Sequence, residues 1–144
     1  MREIRDHIDI DAPPERVWAI ITDFDSFPQW NPFVKQISGR PEEGSKLDVR
    51  IAPPGKRGMR FKPTVVTADR NRELAWLGHV GIPGVFDGEH HFEIQDLGGG
   101  RARFIQREVF KGVLVGLMGG TLDQTLEGFR HMNQALKQRA ESTS

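Results

Sequence analysis

The stretch VFDGEHHFEIQDLGGGRARFIQREVFK, residues 85–111, determines the architecture of this 144-residue chain. Apolar and polar side chains alternate on both sides of the glycines at 98–100, which is the pattern of two half-buried β-strands. Because glycine enters tight turns at little steric cost, we predict an antiparallel hairpin with strands at 85–97 and 101–111. Its inner face would carry Phe86, Gly88, His90, Phe92 and Ile94, and opposite them Phe104, Gln106, Glu108 and Phe110.

More strands and two short helices precede the hairpin. Alternating residues bounded by glycine and proline predict strands at 3–9, 33–38, 46–52, 59–69 and 73–80. Between the first two strands, the prolines at 13 and 14 begin one helix, and a second short helix occupies 25–30.

A long amphipathic helix follows the hairpin. Leu122, Leu126, Phe129 and Leu136 recur at helical spacing. Thr121 and Gln124 match a capping box, so we expect the helix to begin there, and we expect the polar residues 139–144 to fray.

These elements predict an α+β fold. The apolar face of an antiparallel sheet must pack against another element of the protein. The C-terminal helix is the one long amphipathic element available for this. We therefore expect a curved seven-stranded antiparallel sheet, in the order β-α-α-β6-α, wrapped round that helix. A sheet cannot close fully onto a single helix, and the gap is a candidate cavity.

Composition restricts the function. The length suits a single domain over 1–144. Twenty basic and twenty acidic residues balance, so the chain lacks the basic surplus typical of nucleic-acid binding. The absence of cysteine excludes disulfides, thiolate metal sites and cysteine nucleophiles. The sequence has no apolar run long enough to span a membrane and no signal-peptide core at the N-terminus. We therefore expect a cytoplasmic protein without stable membrane insertion. The sequence leaves the oligomeric state open.

Several longer motifs show a family resemblance. They are IDAPPERVW (10–18), DF (23–24), WNPF (30–33), LAW (74–76), GEHHF (88–92), FKG (110–112) and GFRHMNQALK (128–137). With them the chain resembles the START-like, or SRPBCC, superfamily of polyketide cyclase/dehydrase-like proteins, which have the helix-grip fold. The resemblance implies a deep apolar cavity between sheet and helix, with the first strand paired to the last. Because the superfamily includes ligand carriers, hormone receptors and aromatase/cyclases, it leaves the function open.

Polar residues on the inner face form the candidate site. A turn centred on the triple glycine places His90 opposite Glu108, and Phe92 opposite Gln106. The preceding turn places Trp76 beside His90. A register shift of one residue would move all of them to the other face.

The His90–Glu108 pair has three interpretations: a structural hydrogen bond, a ligand anchor, or an acid/base pair. A neighbouring carboxylate raises the pKa of a histidine while burial lowers it, so His90 could act near neutral pH. Asp6 has the inner-face parity of its strand and could join from the edge. His90 and Glu108 are therefore the candidate catalytic residues.

Other residues are expected to line the cavity. The full set of candidate ligand-binding residues is Trp76, His90, Phe92, Gln106, Glu108, Phe110, Phe61, Leu117, Met118, Leu126 and Phe129. The glycine-rich segment 112–120 would be either a gate lined by Leu114, Leu117 and Met118 or a packed connector, with the loops 53–58 and 81–84 completing the mouth. We expect no cofactor. We also expect no metal, because adjacent strand residues such as His90 and His91 point to opposite faces and do not easily bind one ion together.

Two functions compete. The first is binding of a small hydrophobic ligand that is lipid-, isoprenoid- or polyketide-like, since the inner face is apolar with few polar groups. The alternative is a polyketide cyclase/dehydratase-type enzyme in which His90 and Glu108 transfer protons or orient the substrate. A protein-interaction role is disfavoured, because the outward-facing residues are charged. We favour ligand binding.

Overall fold

A computed structural model describes residues 1–55, 57–80 and 82–142. Its elements, in chain order, are β1 (Arg2–Ile10), α1 (Pro14–Thr22), a 3₁₀ turn (Phe24–Ser26), α2 (Phe27–Trp30), β2 (Val34–Ser38), β3 (Asp48–Ile51), β4 (Met59–Phe61), β5 (Thr64–Asp69), β6 (Glu73–Val80), β7 (Phe86–Gly98), β8 (Arg101–Lys111), a second 3₁₀ turn (Val115–Leu117) and α3 (Gly119–Glu141). None of the helices in these ranges is long and apolar enough to cross a bilayer.

The described strands form a curved antiparallel α+β architecture around α3. One sheet has the order β1-β8-β7-β6-β5 and the other the order β2-β3-β4. The first strand pairs with the last, as the family resemblance implied. Backbone hydrogen bonds join the two sheets just before β3, where the Leu47 N–H donates to the Pro63 carbonyl over 2.8 Å.

The expected seven strands are eight within the described residues, because the predicted strand 59–69 is divided. β4 pairs with β3, placing Phe61 opposite Val49, whereas β5 pairs with β6. The division falls at Pro63, which has no N–H to donate to a strand ladder. The chain changes its partner strand at this proline, and the small sheet bends away from the large one.

The apolar stripe of α3 packs against the inner face of the sheet. Leu122, Phe129, Met132 and Leu136 are fully buried, and burying each such side chain stabilises the fold by roughly 1.5–3 kcal/mol. Close contact at Gly128 fixes the helix position, since a Cβ there would overlap with the Phe33 ring.

Both ends of α3 differ from the sequence prediction. The helix begins at Gly119, since the Leu122 N–H already donates to the Met118 carbonyl. No side chain caps this end, and the predicted capping box at Thr121 was wrong. At the other end, residues 139–141 are helical rather than frayed. Ala140 is buried, and the Glu141 carboxylate accepts the Asp11 N–H over 2.7 Å. Residues 143–144 of the predicted tail lie outside the described ranges.

Candidate functional site

A cavity of about 210 Å³ lies between the first turns of α3 and the neighbouring ends of β6, β7 and β8. Its apolar wall consists of Ile51, Pro53, Met59, Phe61, Phe86, Phe110, Met118 and Leu122. Arg57, His79, Thr121, Gln124 and Thr125 add polar groups, and Glu108 is the carboxyl in the wall.

Two glycines on the inner face let the Phe61 ring and the Glu108 carboxyl approach the sheet beside this cavity. Gly78 and Gly88 are directly opposite each other on β6 and β7, and both line the space. A Cβ on Gly88 would overlap with Oε2 of Glu108. At the next inner positions along the same strands, Trp76 and His90 fill the space between sheet and helix. The interior is therefore packed at one end and open at the other.

The Glu108 carboxyl belongs to the cavity wall and is largely removed from water. Its side chain is 15% exposed, and it has no hydrogen-bond partner within the described part of the chain. Burial raises the pKa of this carboxyl from 4.5 to about 8. At pH 7 the neutral form is therefore the favoured one.

His90 lies behind the cavity wall, enclosed by rings. Its imidazole stacks on Phe92 at 4.4 Å between ring centroids and lies 4.9 Å from Phe129 and 5.3 Å from Trp76. Burial lowers the pKa of His90 to about 3, although the hydrogen bond that His90 donates to Gln106 opposes the shift. The lowered pKa argues against His90 as a proton-transfer group near neutral pH, and its main cause is the burial of the imidazole.

A chain of hydrogen bonds runs from His90 across the core to β1. His90 Nε2 is 2.8 Å from Gln106 Oε1, Gln106 Nε2 donates to Asn133 Oδ1 over 2.9 Å, and Asn133 Nδ2 donates to Asp6 Oδ2 over 3.0 Å. We call these four residues the polar chain. A carboxylate only accepts hydrogen bonds, so Asp6 orients the Asn133 amide, which in turn orients Gln106.

The polar chain determines which nitrogen of His90 carries the proton. Because Gln106 presents its carbonyl oxygen, Nε2 of the neutral imidazole is the donor and Nδ1 keeps its lone pair. That lone pair is directed to the Glu108 side, where Oε1 lies 3.6 Å away. The pair is therefore two neutral groups with a defined orientation, and its distance is longer than a direct hydrogen bond.

The strand registers agree with the sequence prediction. His90 is opposite Glu108, Phe92 is opposite Gln106, and Trp76 is opposite His90. Asp6 does join from the edge strand, where it is paired with Gln106.

The cavity itself contains only part of the predicted set. Phe61, Glu108, Phe110 and Met118 line it. Trp76, His90, Phe92, Gln106 and Phe129 form the buried layer behind it, and Leu126 is half-buried against the core. Leu117 is 82% exposed, so its assignment to the cavity was wrong; the 3₁₀ turn buries Val115 instead.

The predicted gate segment 112–120 is tied to the β6–β7 connection. The Val113 N–H donates to the Gly84 carbonyl over 3.2 Å, and the Leu114 N–H donates to Val85 over 3.1 Å. Of the three proposed gate residues, Met118 reaches the cavity, whereas Leu114 and Leu117 are exposed. Lys56 and Gly81, from the two predicted mouth loops, lie outside the described residues.

Sequence reasoning missed several cavity residues. Gly78 and Gly88 were detectable in principle, because both occupy inner-face positions where a large side chain is expected. Arg57 and Thr125 carried no such signal, since their approach to the cavity depends on the path of a loop and on the rotation of α3.

A cluster of possible metal ligands occupies the outer face of the sheet. Glu73, His91 and Glu93 offer ligand atoms within 4.8 Å of one another. His91 Nδ1 contacts Glu73, and the Arg107 guanidinium bonds to Glu93. Since Arg107 already supplies positive charge, the arrangement is typical of a surface ion-pair network.

A larger groove of about 620 Å³ lies between α2 and the small sheet. It is open and lined largely by polar residues. Its charged residues are Asp25, Asp48, Arg50 and Arg60, of which Arg60 and Asp48 form an ion pair. No residue lining it is a buried titratable group within the described ranges, so the smaller cavity is the better candidate site.

The fold and the cavity define a helix-grip protein. A family model described as polyketide cyclase/dehydrase and lipid transport matches residues 1–141, and the chain belongs to this family. No curated protein sequence matches it significantly.

Solved structures show the same fold at low sequence identity. A START superfamily protein from Mycobacterium smegmatis is 22% identical, with a TM-score of 0.77 over 99% of each chain. The ZhuI aromatase/cyclase from Streptomyces sp. R1128 is 14% identical, with a TM-score of 0.78 over 97% of this chain and 93% of that one. Norcoclaurine synthase from Thalictrum flavum, in complex with dopamine and hydroxybenzaldehyde, is 11% identical, with a TM-score of 0.75 over 99% and 88%.

Proposed function

We propose that this protein binds a small, largely apolar molecule in the cavity between α3 and the sheet. The observation that carries the proposal is an apolar cavity whose wall contains one buried carboxyl, Glu108, the pKa of which is raised by burial. Small-molecule sites are usually apolar cavities with a few polar groups in the wall. The family description, which includes lipid transport, supports the same function.

The cavity volume restricts the ligand. Typical sites for drug-sized molecules measure roughly 300–1,000 Å³, and this one, at about 210 Å³, is smaller. We therefore expect a compact lipid-, isoprenoid- or polyketide-like molecule of one or two rings, or a short chain, rather than a long acyl chain. A cytoplasmic location and the absence of nucleic-acid binding stay predictions.

A cavity-filling variant tests the binding function. Thr125 is buried in α3 and lines the cavity, so Thr125→Phe places a ring in the ligand space. We expect at least tenfold weaker binding of 1-naphthalenemethanol by isothermal titration calorimetry. Gln134→Phe, at an exposed position of the same helix, is the matched control and should bind as the wild type does. Lack of saturable binding by the wild type would contradict the proposal.

A second candidate function is acid/base catalysis by Glu108 on a bound substrate. It is favoured by one observation: burial sets the pKa of a cavity-facing carboxyl to about 8, close to neutral pH. Under this function Glu108, not His90, transfers the proton. Glu108→Gln would then reduce turnover by roughly 10²–10⁴-fold while the ligand still binds. A protein that only carries its ligand would show no turnover to lose.

A further inference from the structure

The two oxygens of Glu108 have different surroundings. Oε1 lies 3.6 Å from Nδ1 of His90, a residue that does not line the cavity. Oε2 lies against Gly88, a cavity-lining residue whose missing side chain gives this oxygen its space. A ligand in the cavity therefore meets Oε2 first.

The polar chain influences which oxygen of the Glu108 carboxyl carries the proton. Because Asp6 and Asn133 hold Gln106 with its carbonyl towards His90, Nδ1 of His90 has a lone pair and no proton. The lone pair lies 3.6 Å from Oε1, which is too long for a hydrogen bond, but it repels a bare oxygen and so favours the neutral carboxyl with its O–H on the Oε1 side. Oε2 is then the carbonyl oxygen, which accepts hydrogen bonds.

We propose that the ligand of this cavity is a hydroxylated hydrophobic molecule whose O–H donates to Oε2 of Glu108, with the polar chain setting that preference. This inference rests on the proposed binding function and names the class of its ligand. A ligand that offers only a carbonyl or ether oxygen would place one hydrogen-bond acceptor against another, Oε2 of Glu108, and no hydrogen bond would form. An ammonium ligand would need an ionised Glu108 facing the His90 lone pair, which is unfavourable.

The surroundings of Glu108 are consistent with a neutral partner. The titratable or charged side chains that share the cavity with it are Arg57 and His79, and His90 lies behind it. β1 places Ile4 directly opposite Glu108. The cavity-lining residues from α3 are uncharged: Thr121, Leu122, Gln124 and Thr125. His79 is itself hydrogen-bonded to Asp87 over 2.7 Å.

Three probes of similar size test the preference. 1-Naphthalenemethanol donates a hydrogen bond, its isomer 1-methoxynaphthalene only accepts one, and 1-ethylnaphthalene does neither. Calorimetry on the wild type at pH 7 should show the alcohol binding at least fivefold more tightly than the ether, which corresponds to one net hydrogen bond.

Variants at Glu108 and Asn133 test whether the preference for the alcohol comes from Oε2 of Glu108 or from the general polarity of the cavity wall. In Glu108→Leu the fivefold preference should disappear while 1-ethylnaphthalene still binds. Glu108→Gln should restore it, since its NH2 group faces the His90 lone pair as the O–H does and its carbonyl oxygen replaces Oε2. Asn133→Leu should reduce the preference at least threefold and change the ¹⁵N NMR shifts of His90 from the Nε2–H tautomer. Glu89→Gln, on the opposite face of β7, is the control and should keep the preference.

The outcomes are distinguishable. Equal binding of all three probes, or tighter binding of the ether, overturns this inference and leaves the binding function standing. Saturable binding of none overturns both. Should Asn133→Leu fail to fold, the Glu108 variants alone decide the matter.

Discussion

The buried carboxyl of Glu108 should make the stability of this protein fall as the pH rises through neutrality. Its pKa is about 8 in the folded protein and 4.5 without burial. Below pH 4.5 the group is protonated in both states, and above it the unfolded chain ionises while the folded protein does not. The stabilisation is therefore complete at low pH and is lost as the pH approaches 8.

The magnitude follows from the shift. Each pKa unit corresponds to about 1.4 kcal/mol, and between pH 6 and pH 8 the loss sums to about 2 kcal/mol after allowing for partial ionisation near pH 8. His90, whose pKa is lowered from 6.5 to about 3, has the opposite dependence and offsets somewhat less than about 1 kcal/mol of this loss, nearly all of it below pH 7. Against a total stability of about 5–15 kcal/mol, the effect is measurable.

The assay is urea unfolding of the wild type and of Glu108→Gln at pH 6, 7 and 8. Other titrating groups contribute to both proteins, so the difference between their unfolding free energies isolates Glu108. We expect this difference to change by about 2 kcal/mol in favour of Glu108→Gln from pH 6 to pH 8. Side-chain ¹³C NMR of Glu108 provides an independent titration. A pH-independent difference would refute the reasoning and show that Glu108 is ionised in the folded protein at neutral pH.

Three further substitutions test the packing around the site. Gly88→Ala should displace the Glu108 carboxyl, which is the flexible end of its side chain, and change the stability by no more than about 1 kcal/mol; a loss above ~3 kcal/mol would mean that the carboxyl has no room to move. Gly128→Ala should destabilise by ~1–3 kcal/mol despite the better helix propensity of alanine, because the new methyl overlaps with Phe33; thermal unfolding with a raised midpoint would contradict this. Phe129→Ala should cost about 3–5 kcal/mol in chemical denaturation, and a loss below ~1 kcal/mol would show that α3 repacks.

The arrangement of the sheet was accessible from the sequence because a strand has a period of two. Once the triple glycine defines the turn, the pairings of His90 with Glu108 and of Phe92 with Gln106 follow by counting. The division at Pro63 was also accessible in principle, since a proline inside a predicted strand signals a break.

The cavity was less accessible, because it depends on the rotation of α3 and on which inner-face positions are left empty. Asn133 lies among the apolar residues of the helix, and nothing in its spacing indicates that it bonds to Gln106 and Asp6. Leu117 has the composition of a cavity residue, yet the turn at 115–117 directs it outwards. Such orientations are set by tertiary contacts that periodicity does not encode.

Native mass spectrometry of the purified protein, with added 1-naphthalenemethanol, tests the central claim most directly. The claim is that the space between α3 and the sheet holds one small apolar molecule. We predict one saturable adduct on the wild type and on Gln134→Phe, lost on denaturation and at least tenfold weaker on Thr125→Phe. Equal adduct formation by Thr125→Phe, or none by the wild type, would contradict the claim.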